Sequence, residues 1–146
     1  PWVSLSWGGW DHHFNIFNDM KRMLPELDTA YSALLTDLHQ RGSLENTLVV
    51  LLGEMGRTPK INSGPGRDHW GPGMSIAIAG AGCPGGTVVG QTEADGGVPA
   101  ERALTPQDLA CTIYSKMGID YHKEFHNEVG RPMQMVSGGE PIRELG

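Results

Sequence analysis

The chain has 146 residues, of which 38% are hydrophobic and 19% are charged, and these values predict one globular domain. A net charge of −6 without a basic cluster argues against a nucleic-acid-binding surface. No apolar run reaches the about 18 residues of a membrane-spanning helix, so no transmembrane segment is predicted.

The first segment with a recognisable pattern is residues 2–7, which alternate as a β-strand does. Two glycines follow, and then Asp11, His12 and His13. Functional groups in open α/β sheets gather beyond the carboxyl ends of strands, so Asp11 and His13 are candidate site residues. The alternative is a glycine turn with solvated imidazoles. Because the chain enters a strand directly at Pro1, we interpret residues 1–146 as the carboxyl-terminal part of one longer α/β domain.

A helix is predicted next, because apolar residues recur at three- and four-residue steps from Met20 to Leu38. Pro25 favours a main helix over residues 25–41 with a shorter helical segment before it, and Gly42 is the expected stop. Residues 48–52 are continuously apolar, which is typical of a strand buried on both faces. Strand, helix and strand in succession predict a βαβ unit. The expected fold is therefore an α/β sandwich with a parallel sheet.

A long loop separates this strand from the next one, which is predicted at residues 74–79. Glu54 begins the loop and should emerge at the same sheet edge as Asp11. Loops of about twenty residues are uncommon in compact domains unless they are functional or disordered. The loop contains several ligand-type and anion-binding residues, which favour a function: Arg57, Lys60, Asn62, Arg67, Asp68, His69 and Trp70.

The second half of the chain carries weaker signals. Residues 80–85 match G-x-G-x-x-G, but a short strand at residues 86–90 is expected to follow, which favours a hairpin over a dinucleotide site. Residues 91–104 are predicted to be irregular. His122 and His126 would share one helix face, yet their charged neighbours favour a solvated turn over a metal pair. The tail should pack over the domain in extended segments.

The two cysteines and a second helix complete the pattern. Cys83 and Cys111 form no C-x-x-C pair, so they predict no thiolate metal site and give only a weak hint of a disulfide. Thr105, Pro106 and Asp108 are typical of a helix start. The predicted buried stripe of this helix consists of Leu109, Ile113 and Met117, with Gly118 as its end.

Carboxylate and imidazole groups without thiolates favour a catalytic metal over a structural one. The candidate ligands for a divalent Zn, Mn, Ca or Mg ion are Asp11, His13, Glu54, Asp68 and His69. Arg57 and Lys60 are candidates for holding an anionic substrate. The alternative is that these residues form ion pairs that order a glycine-rich loop.

Three phrases in this order resemble a sulfatase-like family of unknown function in the alkaline phosphatase superfamily. They are GGWDxH at residues 8–13, GExGRTP at residues 53–59 and GRDHW at residues 66–70. The resemblance implies an α/β sandwich with two divalent metals above its sheet. It also implies that Asp11, His13 and His69 hold one metal and that Glu54 serves the other. Arg57 stands where relatives often have a histidine ligand, and His12 stands where the family usually has threonine.

The function implied by this resemblance is metal-dependent hydrolysis of small phosphate or sulfate esters, in a periplasmic or secreted protein. The superfamily nucleophile would precede Pro1, so the 146 residues alone are expected to be inactive on aryl phosphates and sulfates. The alternative is a non-catalytic metal-binding or scaffold protein that retains the fold.

Overall fold

The structure is a computed structural model that describes residues 1–146. It contains two α-helices, which are α1 (Ile16–Gln40) and α2 (Pro106–Lys116). Its eight short strands are β1 (Val49–Leu51), β2 (Gly56–Arg57), β3 (His69–Trp70), β4 (Ala77–Ala79), β5 (Gln91–Thr92), β6 (Pro99–Glu101), β7 (Glu124–His126) and β8 (Pro132–Gln134). Two 3₁₀ turns span Leu44–Asn46 and Arg143–Leu145.

The strands form four separate two-stranded antiparallel sheets, so the predicted parallel-sheet α/β sandwich is wrong. β1 pairs with β4, with Val50 opposite Ile78, and the other sheets pair β2 with β3, β5 with β6 and β7 with β8. Residues 2–7, which were expected to be the first strand of a βαβ unit, form no strand. Without that strand, β1 pairs with a strand that returns through a loop, and this connection gives an antiparallel pair.

Helix α1 is continuous through Pro25, so the predicted break at residue 25 is wrong. Pro25 has no N–H to donate to the carbonyl of Lys21, a loss that ordinarily disfavours helix interiors. Both residues are exposed, so water can hydrate that carbonyl. The predicted stop is confirmed: Gly42 adopts φ +68°, and the N–H of Ser43 donates to the Leu38 carbonyl at 2.8 Å.

Helix α2 begins as predicted, because Thr105 and Asp108 form a reciprocal capping box. The predicted buried stripe is wrong, since Cys111 and Thr112 are its buried residues and Met117 is exposed. The C-terminal segment decides which face is covered. Its Ile142 N–H donates to the Thr112 hydroxyl at 2.8 Å.

Several smaller predictions are also corrected. Residues 86–90 form no strand, and the region expected to be irregular contains the β5–β6 hairpin. No helix follows residues 80–85, as a dinucleotide-binding turn would require. His126 lies on β7 and not on a helix, and both His122 and His126 are exposed. Cys83 and Cys111 are free thiols.

The chain exposes far more surface than a folded monomer of its size normally does. Its accessible area is 10394 Å², against about 7,300 Å² expected for 15.8 kDa. Only four hydrophobic residues are buried, namely Met23, Cys111, Ile142 and Leu145. Neither helix combines the length and the apolar character that crossing a bilayer requires. The site described next is therefore held by hydrogen bonds between segments more than by a large core.

Candidate metal centre

Two segments distant in sequence are joined edge to edge and build the site. Four hydrogen bonds of 2.9 to 3.0 Å join residues 12–16 to the loop of residues 62–67. The pairs are Arg67 N–H to His12 carbonyl, Asn62 amide to His13 carbonyl, Asn15 N–H to Gly64 carbonyl and Ile16 N–H to Pro65 carbonyl. The last of these bonds supplies an acceptor for the first N–H group of α1, because the first N–H groups of a helix lack partners within the helix.

Glycine allows this close approach. A Cβ atom on Gly66 would lie 2.1 Å from the carbonyl carbon of His13, and one on Gly64 would lie 2.3 Å from the Phe14 ring. Side chains at these positions would push the loop away from residues 13 and 14. The glycines of the loop therefore fix the position of the His13 backbone.

The β2–β3 pair places the remaining site residues. Arg57 lies directly opposite His69 in this ladder, and opposite residues of an antiparallel pair project to the same face. Backbone bonds continue the pairing, because the Thr58 N–H donates to the Asp68 carbonyl at 2.9 Å. Arg67 supports the turn by donating to the carbonyls of Thr58 and Pro59. Arg67 is thus engaged in holding the loop and is not free for an anion.

Asp11, His13 and His69 bring three ligand atoms together. Nε2 of His13 and Nε2 of His69 each lie 3.0 Å from Oδ1 of Asp11, and the two nitrogens are 3.3 Å apart. Tetrahedral sites with metal–ligand bonds of about 2.0–2.1 Å bring neighbouring ligand atoms to about 3.3 Å. The three atoms thus have nearly the spacing of one face of a tetrahedral metal site.

The hydrogen-bond chemistry of His13 sharpens this geometry. Its Nδ1 lies 2.8 Å from Oδ1 of Asp68, and an ionised carboxylate only accepts, so Nδ1 is the donor. In a neutral imidazole Nε2 then carries a lone pair, which faces Asp11 and His69. Nε2 of His69 lies within hydrogen-bond distance of both Asp11 and His13, so in the metal-free chain its N–H can donate to either of them, and a cation could take the place of that proton.

Arg57 balances the negative charge of the cluster. Its Nη1 donates to Oδ1 of Asp11 at 2.5 Å. This bond, followed by that of His69, lowers the pKa of Asp11 to about 2. The pKa of Asp68 is also lowered, chiefly by the hydrogen bond from His13 and then by that from Asn62. Both carboxylates are therefore ionised at neutral pH, as metal ligation and its support require.

A family model described as "Protein of unknown function (DUF1501)" matches residues 1–145. The chain belongs to the DUF1501 family. None of the curated proteins and none of the solved structures matches it.

The sequence-based assignment to a sulfatase-like family of the alkaline phosphatase superfamily is wrong, because the matching family is DUF1501 and no sulfatase or phosphatase family matches. The antiparallel fold also differs from the sandwich which that assignment implied. Neither the DUF1501 match nor the fold is evidence for a hydrolase.

The other predicted site residues of this DUF1501 chain lie outside the three-atom cluster. Glu54 is exposed and is not among the grouped ligands. Lys60 is exposed and forms no ion pair, while its carbonyl accepts from the Thr58 hydroxyl. The His12 side chain is nine-tenths buried, with Nδ1 3.4 Å from Asp19 on α1. His12 is thus directed toward the helix.

Sequence reasoning did not identify the role of Asn62, which organises the DUF1501 loop. Its side-chain oxygen accepts from the N–H groups of Gly64 and Gly66. Its amide donates to the His13 carbonyl and to Asp68, both at 3.0 Å. An asparagine before serine, glycine and proline is a turn signal, because its side chain bonds to the backbone two residues later. That signal marks the turn but does not reveal the partner across it.

A large groove of the chain lies elsewhere. It has a volume of about 740 Å³ and runs between α1, β4 and the C-terminal turn. Asp11, His13 and His69 do not line it. The ligand chemistry of Asp11, His13 and His69, and not the size of a cavity, therefore makes this cluster the candidate metal centre of the DUF1501 chain.

Proposed function

We propose that this chain binds one divalent transition-metal ion through Asp11, His13 and His69. The observation that carries the proposal is the spacing of their three ligand atoms, at 3.0, 3.0 and 3.3 Å. Two imidazoles and one carboxylate suit Zn²⁺ better than Mn²⁺, Ca²⁺ or Mg²⁺, to which all-oxygen ligand sets are better suited.

Electrostatics supports the same assignment. The centre contains the carboxylates of Asp11 and Asp68 and one guanidinium, that of Arg57. These charges leave one negative charge in excess, and a divalent cation would compensate it while accepting the lone pair of His13 Nε2. Three protein ligands leave a fourth position open, which is typical of catalytic zinc sites and not of closed structural ones.

The open position and Arg57 together suit a ligand with an oxyanion group, such as a phosphate or sulfate ester. Arginine binds such groups through paired N–H donors, and a metal ion neutralises their charge. Hydrolysis of an anionic ester stays a prediction from the sequence. A non-catalytic metal-binding role is the second candidate, because no hydroxyl or thiol group hydrogen-bonds to the three ligands.

Titration of the chelator-treated chain with Zn²⁺, followed by calorimetry and metal analysis, tests the proposal. We expect one equivalent to bind, and His69→Ala to lose that binding because one of three ligands is removed. His126→Ala is the matched control, since His126 is an exposed imidazole on β7 and lies outside the cluster. Binding of less than one equivalent, or equal binding by wild type and His69→Ala, would contradict the proposal.

A further inference from the structure

We propose that Asp68 is a positioning residue of the metal centre, which holds His13 in the tautomer whose Nε2 lone pair faces the ion. This inference rests on the proposed metal-binding function. Asp68 thereby acts through His13 and is not itself a ligand, although residue type alone made it a ligand candidate.

Asp68 contacts the side of the His13 ring that faces away from the other candidate ligands. Its Oδ1 lies 2.8 Å from Nδ1 of His13. The nitrogen that lies close to Asp11 and His69 is Nε2, on the other side of the ring. Asp68 is also absent from the group of carboxylate and imidazole atoms that could share one ion. A carboxylate that receives the distal N–H of a ligand histidine fixes the ring orientation and raises ligand basicity.

The carboxylate of Asp68 is itself held in place by neighbouring residues. The Asn62 amide donates to the same oxygen at 3.0 Å, and the Asp68 N–H donates to the Thr58 hydroxyl at 3.1 Å. Asn62 also donates to the His13 carbonyl at 3.0 Å. One asparagine thus ties the backbone of the ligand histidine and the carboxylate that orients its ring.

Removal of this carboxylate has a defined consequence for the ring. Without an acceptor at Nδ1, the proton of neutral His13 is favoured at Nε2, which lies 3.0 Å from the carboxylate oxygen Oδ1 of Asp11. That tautomer directs a proton and not a lone pair at the ion. Asp68→Ala should therefore change the tautomer, while Asp68→Asn retains an acceptor oxygen that Asn62 can still orient.

Nitrogen-15 NMR of the His13 ring in the metal-free chain tests the tautomer directly, with the pH raised until the ring signals show the neutral imidazole. Wild type and Asp68→Asn should carry the proton on Nδ1, and Asp68→Ala should carry it on Nε2. A wild-type proton on Nε2, or an unchanged tautomer in Asp68→Ala, would overturn the inference. This result does not depend on metal binding, so its failure is distinct from failure of the proposed function.

Zn²⁺ affinity supplies the second measurement. Asp68→Ala should bind one equivalent about 10- to 100-fold more weakly than wild type, the usual cost of losing such an outer partner. Asp68→Asn should lose less than about tenfold, because its amide oxygen still accepts from Nδ1. If Asp68→Asn weakens binding as much as Asp68→Ala does, a hydrogen-bond acceptor at Nδ1 of His13 is not what Asp68 supplies, and the positioning role is wrong. Circular dichroism of both variants checks that each is folded.

Discussion

Oδ1 of Asp11 is the atom on which the site converges, because it contacts Arg57, His13 and His69 at once. A guanidinium on that oxygen competes with a metal ion for it and also repels the ion. We therefore expect Arg57→Gln to bind Zn²⁺ more tightly, by about threefold given the modest strength of exposed ion pairs. The same variant should bind inorganic phosphate more weakly once zinc is present.

Calorimetric titration with Zn²⁺, and then with phosphate, measures these two opposite effects. Arg22→Gln is the control, since Arg22 is an exposed arginine on α1 without an ion pair. Unchanged or weaker Zn²⁺ binding by Arg57→Gln would show that Arg57 does not compete with the ion.

Residue type was sufficient to choose Asp11, His13 and His69 as candidates, and the structure brings their ligand atoms together. The expectation that Asp11 and Glu54 emerge at one edge of a parallel sheet is wrong, because residues 2–7 form no strand and every strand pair is antiparallel. The roles of Asp68 and Asn62 could not be predicted, because a sequence does not reveal which ring nitrogen of His13 faces which neighbour. That assignment depends on contacts more than 40 residues apart.

At the level of elements, the loop of residues 62–67 is the part that aligns the ligands. Gly66→Ala would place a Cβ 2.1 Å from the His13 carbonyl carbon, so the loop or the histidine must move. We expect the free energy of unfolding to fall by about 1–3 kcal/mol, as for other overpacked sites. Zn²⁺ affinity should fall as well, because His13 would be displaced.

Gly71→Ala, directly after β3, provides a matched control, since its added Cβ would meet no atom within 4 Å. Urea denaturation and Zn²⁺ titration of both variants make the comparison. Wild-type stability and affinity in Gly66→Ala would show that the close approach of the loop does not position His13.

The helix ends were predictable where the residues that fix them are close in sequence. The capping box of Thr105 and Asp108 and the Gly42 stop lie within a few residues of the helix ends that they fix. Strand pairing was not predictable, because β1 and β4 are partners across 25 intervening residues and short apolar runs do not specify direction. Helix α1 continues through Pro25, where the exposure of Lys21 lets water hydrate the carbonyl that Pro25 cannot bond, and this exposure is a tertiary property.

For the whole molecule, the C-terminal turn is tied to the rest of the chain by an ion pair. Arg102 donates to both carboxylate oxygens of Glu144, at 2.7 and 2.9 Å. The Arg102 hydrogen bond lowers the pKa of Glu144 from 4.5 to about 2. A lowered folded-state pKa stabilises the fold above the unfolded value of 4.5, and this contribution is lost as the pH falls toward 2.

Glu144→Gln should therefore reduce stability at neutral pH and make the loss of stability between pH 4.5 and 2 shallower. Thermal denaturation at several pH values measures this slope. Glu128→Gln, which changes an exposed residue without an ion pair, should keep the wild-type slope. An equally steep acid slope in Glu144→Gln would contradict the role of this pair.

The fold class itself could not be read from composition, although the numbers of hydrophobic and charged residues are ordinary for a globular domain. An accessible area of 10394 Å², against about 7,300 Å² expected, shows that this apolar content is largely unburied. The apolar run at residues 48–52 was expected to be a central parallel strand because such runs are usually buried on both faces. The strand residues of this run are only half-buried.

We propose that Asp11, His13 and His69 share one metal ion. X-ray absorption at the zinc edge, measured on the chain with one equivalent of Zn²⁺ bound, tests this directly. We expect two imidazole nitrogens and oxygen donors at about 2.0–2.1 Å, with no sulfur, whereas His69→Ala, which should not hold zinc, should show no imidazole shell. A sulfur shell at about 2.3 Å, or an identical spectrum for His69→Ala, would contradict it.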